Sequence, residues 1–128
     1  MEKPWLKFYD PSVPANLQYP DLLLQQILDD AADRFPEKVG VFFFGGKIRY
    51  AELRAQADQF AIALRSIGFR KGDRVGIILP DMPQAIISAF GVFKAGGTAV
   101  FFDPREEEEK LERQINDSGI ETVVVFGL

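Results

Sequence analysis

The 128-residue sequence contains no cysteine and no histidine. It therefore has no thiolate nucleophile, no Ser-His-Asp triad and no imidazole base. Zinc centres built on those ligands are excluded as well. Catalysis in this chain would have to run on carboxylates, Lys, Tyr or a metal held by oxygen ligands. Positive charge is also short: 15 Lys and Arg against 19 Asp and Glu leave a net charge of −4, the wrong sign for a broad nucleic-acid-binding face. No apolar run reaches the roughly eighteen residues of a membrane span. The opening MEKPWLKFYD lacks the apolar segment of a secretory signal. These absences predict a soluble cytoplasmic protein with no transmembrane segment and no nucleic-acid partner.

What is present is an apolar, Phe-rich sequence, 47% hydrophobic with 12 Phe, long enough for one domain with a real core. Residues 1–20 carry Pro4, Pro11, Pro14 and Pro20 among Trp5, Phe8, Tyr9 and Tyr19. So much proline disfavours a helix or a central strand and predicts an extended arm pinned over the surface by its aromatics. Residues 21–128 read as a single α/β unit. A helix is predicted over 21–35, with Leu24, Ile27, Leu28, Ala31 and Phe35 at helical spacing and Pro36 ending it. A strand over 39–44 turns at Gly45-Gly46 into 47–49, forming a hairpin. The longest helix, 50–67, presents Leu53, Ala57, Phe60, Ala61, Leu64 and Ile67, with Gly68 just past its end.

The segment 74–79 contains VGIIL, apolar on both faces as in a parallel sheet. Asp81 and Gln84 then read as a capping box, with Pro83 in the first turn of a helix whose apolar residues are Ile86, Ile87, Phe90 and Phe93. Gly96-Gly97 stops that helix, and 98–102 is the next strand. A charged helix over 106–117 rests on Leu111 and Ile115, and 121–126 is a last strand. The alternation predicts a mainly parallel sheet flanked by helices, with one β-hairpin.

Three features could carry chemistry. Gly91 to Thr98, GVFKAGGT, approaches a phosphate-loop pattern, but Gly97 stands where the lysine belongs. It also ends a helix and opens a strand, the reverse of the arrangement that aims amides at phosphate. Asp81 and Asp103 follow parallel strands at their carboxyl ends, where α/β sheets bind ligands. A carboxylate pair there could hold Mg²⁺ or serve as acid and base, although capping by Asp81 and turn formation by Asp103-Pro104 account for both. Glu106 to Glu109 points around a helix start and cannot converge on one ion. The triple Phe42-Phe43-Phe44 could line a lipid tunnel, but core and hairpin packing explains it.

Taken in order, KPWLKFYDPSVPANLQYPD, AADRFPEKVGVFFFGGKIRYAEL, ADQFAIALRSIGFRKGDRVGIILPDMPQAIISAFGVFKAGGTAVFFDP and KLERQINDSG resemble the N-terminal part of AMP-forming acyl-CoA synthetases, the long-chain fatty acid CoA ligases in particular. The chain departs from that pattern in four places. Arg49 stands where the family has a capping Thr or Ser, Asp81 and Asp103 replace Asn, and Arg105-Glu106-Glu107 replaces Leu-Tyr-Thr.

The resemblance implies an N-terminal subdomain of a ligase, incomplete relative to the whole enzyme, as does a last strand with no closing helix. The whole enzyme would activate a fatty acid with ATP, forming acyl-AMP, and pass the acyl group to CoA, with Mg²⁺ as cofactor. The family's phosphate loop, ribose-binding acid and C-terminal lysine have no match here. No catalytic, cofactor-binding or metal-binding residue is therefore assigned. The chain alone is expected to be inactive and to bind none of these ligands tightly. Its implied partners are the remainder of the same polypeptide and, through any exposed surface, a second copy. The alternatives are a ligase for an aryl, short-chain or aminoacyl acid, and a non-catalytic stand-alone binding or assembly module.

Overall fold

A computed structural model describes residues 3–127. The core is a three-stranded parallel sheet in which β3 (Arg74–Ile78) lies between β4 (Thr98–Phe101) and β5 (Thr122–Val125). Arg74 pairs with Thr98 and Val75 with Thr122, and the ladders run in parallel from there. The VGIIL segment earns its central place by being apolar on both sides. Val75 and Ile77 are fully buried on one face, while Gly76 on the other lies under Ile120, Phe102 and Val123.

Helix α3 (Pro83–Ala95) connects β3 to β4, and its Ala89 packs with Ile77 and Leu79. On its other side α3 meets α2 (Tyr50–Ser66), through Val92 against Ala61 and Leu64. The contact is close because Gly91 has no side chain: a Cβ there would lie 2.6 Å from Phe60 Cδ1. Full burial of aliphatic side chains such as Val75, Ile77 and Val92 stabilises by roughly 1.5–3 kcal/mol each.

Helix α2 ends as its sequence predicts. Phe69 N–H donates to the Leu64 carbonyl and Gly68 N–H to that of Arg65, with Gly68 at φ +95°. This is a Schellman motif, closed by the apolar contact of Phe69 and Leu64 in one cluster. The antiparallel hairpin of β1 (Val39–Phe43) and β2 (Gly46–Arg49) forms its own sheet. It docks through Val41 and Ile48 onto Leu28, Leu53 and Ala57. Helix α1 (Leu24–Arg34) completes that cluster, and α4 (Glu108–Ser118) carries only half-buried Leu111 and Ile115 inward.

Several expectations are corrected. The arm contains a 3-10 helix at Pro4–Phe8; Pro4 at its start is compatible because the first-turn amide needs no partner. Trp5, Phe8, Tyr9 and Tyr19 stay exposed and do not pin the arm. Helix α1 starts three residues later than predicted, after Leu23, whose N–H is held by Gln26 Oε1 at 2.7 Å. Its Leu24, Ile27 and Phe35 remain exposed, and Ala32 is buried instead. The hairpin turn is Phe44-Gly45, not Gly45-Gly46: both turn residues have positive φ, and Gly46 already pairs with Phe43. The last helix begins at Glu108, so Glu106 and Glu107 precede it, and Glu106 pairs with Lys110 at 2.7 Å.

Candidate ligand-facing edge

Because β3, β4 and β5 are parallel, their carboxyl ends share one edge, the usual place for a ligand in such a sheet. The chain leaves β3 through Pro80-Asp81 and β4 through Phe102-Asp103-Pro104. Between them lies an open cleft of about 440 Å³ lined by Pro80, Asp81, Phe101, Asp103 and Arg105. Beside it, an apolar groove of about 460 Å³ runs between the hairpin and the start of α3, walled by Val41, Phe43, Met82, Ile86, Phe90 and Phe101. A more polar cleft at the amino-terminal end of the sheet, lined by Gly72, Asp73, Arg74 and Thr122, is on the wrong side for this binding mode.

The two aspartates share an edge but do not form a metal or acid–base pair. Asp103 is clasped by Arg105: Oδ1 accepts from the Arg105 backbone N–H at 2.9 Å and from Nε at 3.1 Å, and Oδ2 accepts from Nη2 at 3.1 Å. These hydrogen bonds, side chain first, hold the Asp103 carboxyl below its ordinary pKa. The same pairing with Asp103 raises Arg105, and Asp81 adds a smaller electrostatic contribution. A carboxylate held ionised by a bidentate guanidinium is a poor proton shuttle.

Asp81 does not cap α3. Met82 is the N-cap residue, no side chain caps the helix, and Pro83 occupies its first turn. Asp103, in contrast, does form the predicted turn.

The glycines of GVFKAGGT are equally committed. Gly96 and Gly97 donate their amides back to the carbonyls of Phe93 and Val92, at 3.0 and 2.9 Å. Amides spent in stopping a helix cannot cradle a phosphate. Among the described residues no three Asp, Glu, His or Cys side chains converge as a metal site. At this edge Asp103 and Arg105 are thus spent on each other, and the glycine amides at the opposite, amino-terminal end of β4 are spent on α3. What the edge offers is a wall: apolar on the groove side and ion-paired on the cleft side.

Phe42 and Phe43 do line the groove, whereas Phe44 stands at the turn tip. Sequence reasoning missed Lys94, whose Nζ sits 2.5 Å from Asp29 Oδ1 and 2.6 Å from Asp58 Oδ1. A lysine in the last turn of a mostly apolar helix was the available signal.

The AMP-binding enzyme family matches residues 28–127. The chain belongs to that family. It is 39% identical over 127 residues to a long-chain-fatty-acid–CoA ligase of Bacillus subtilis, covering 99% of this chain and 23% of the ligase. It is 33% identical over 129 residues to the enzyme of the same name from Yersinia pestis, covering 98% and 23%.

Among solved structures it is similar to the N-terminal subdomain of Klebsiella oxytoca NpsA in complex with 3-hydroxybenzoyl-AMSN. That match has a TM-score of 0.76 at 27% identity and covers 83% of this chain and 28% of that one. The chain thus spans about a quarter of the length of the two ligases. No helix among the described residues is long and apolar enough to cross a membrane.

Proposed function

We propose that the chain is the N-terminal part of a cytoplasmic long-chain fatty acid CoA ligase. In the whole enzyme a fatty acid would react with ATP to give acyl-AMP and pyrophosphate, with Mg²⁺ present, and CoA would take the acyl group. The observation that carries this reading is the match to fatty acid ligases from one end of the chain to the other. Residues 1–20 would form an arm and residues 21–128 the α/β subdomain, contributing scaffold and an apolar wall rather than catalytic groups.

Adenylyl transfer needs positive charge and preorganised donors on the phosphate being attacked. Here Gly96 and Gly97 are committed to a helix stop, and Arg105 is committed to Asp103. The test is ATP–pyrophosphate exchange with palmitate. The 128 residues alone should show no exchange above background, and measurable exchange would sink the reading.

A second reading, a ligase for an aryl acid, is favoured by the likeness to the NpsA subdomain, whose structure carries an aryl ligand. A panel of fatty and aryl acids on the whole enzyme separates the two, since each predicts activity with only one class.

A further inference from the structure

We draw no further inference here: the strongest candidate, the exposed aromatic face of the amino-terminal arm formed by Trp5, Phe8 and Tyr19, carries none, because the chain spans 23% of each of the two ligases it matches and nothing in the structure shows what covers that face.

Discussion

Replacing Lys94 with Met tests how the three helices are tied together. The ammonium is clamped between Asp29 on α1 and Asp58 on α2, at 2.5 and 2.6 Å. Its side chain is 11% exposed, against 38% and 50% for the two aspartates. Met preserves the packing of the aliphatic stem and removes only the charge. Deleting one partner of a fully buried pair costs about 3–5 kcal/mol, because the other charge is left stranded. Here both carboxylates can draw on solvent, which discounts the penalty to about 2 kcal/mol. That corresponds to a fall in Tm of roughly 8 °C for a domain of this size.

Urea titration and calorimetry of Lys94→Met measure the loss directly. The variant Lys94→Met/Asp29→Asn/Asp58→Asn should recover at least half of it, since no charge is then left uncompensated. A single variant within about 0.5 kcal/mol of wild type, or a triple variant no better than the single, refutes the reasoning. The pH dependence gives an independent check. Burial pulls the Lys94 ammonium down, but hydrogen bonds to Asp29 and Asp58 outweigh it and hold the pKa above its ordinary value. The folded-state pKa is thus higher than the unfolded one. The contribution is therefore complete below the ordinary lysine value and is lost as pH rises through the folded one. Wild type and Lys94→Met should converge in strongly alkaline solution.

Three further substitutions probe local choices of the fold. Phe44 holds φ +44° at the hairpin tip and is 95% exposed, with its ring edge-to-face on Phe43 at 4.6 Å between centroids. Asn relieves about 1–2 kcal/mol of backbone strain and forfeits about 0.5–1.5 kcal/mol of ring contact. Phe44→Asn should therefore stabilise by about 0.5 kcal/mol, and a loss in urea titration would show that the ring contact outweighs the strain. Only half of a capping box exists at α2, where Glu52 Oε2 accepts the Arg49 N–H at 2.8 Å and the arginine side chain cannot accept in return. Arg49→Thr should therefore raise stability by roughly 0.5–1 kcal/mol, offset slightly by the exposed Arg49–Glu37 pair, and an unchanged denaturation midpoint would argue against a missing cap. Gly97→Ala should destabilise by about 1–3 kcal/mol, since its Cβ would fall 2.3 Å from Phe69 Cζ and 2.9 Å from the Asp73 carbonyl oxygen; a neutral result by calorimetry would mean that the Phe69 ring moves freely.

The sequence made the fold legible wherever one physical requirement dominated. Burial on both sides marked VGIIL as the central strand, and the positive φ needed at a helix stop marked Gly68 and Gly96. It was less informative where two weak preferences competed. Apolar spacing beginning at Leu24 places the helix start no more closely than residues 21–24, and the backbone N–H of Leu23, held by Gln26 Oε1, sets it at Leu24. The hairpin turn took Phe44 rather than Gly46 because the pairing of Val41 with Ile48 and Phe42 with Lys47 leaves just two residues for the loop. Asp81 had the right residue type for a cap but sits one position too early. Lys94 stands out as a lysine in a mostly apolar helix, but its partners lie 65 and 36 residues away in sequence, beyond the reach of local periodicity.

The candidate site follows a different logic, which explains why family membership was so plain while no catalytic group was. The letters of GVFKAGGT that resemble a phosphate loop are fixed by packing. Gly91 lets α2 reach α3, and Gly97 lets the turn pass under Phe69 with its amide bound to Val92. Close approach constrains such positions as tightly as chemistry constrains an active site, because an added methyl group has nowhere to go. A motif of this kind therefore identifies the architecture with high specificity and carries no information about reaction steps. The same constraint yields a general discriminator between the two readings of a glycine motif. Where its amides are bonded back into their own helix, as at Gly96 and Gly97, the motif is structural. Where they point outward at a helix start, it can hold a phosphate.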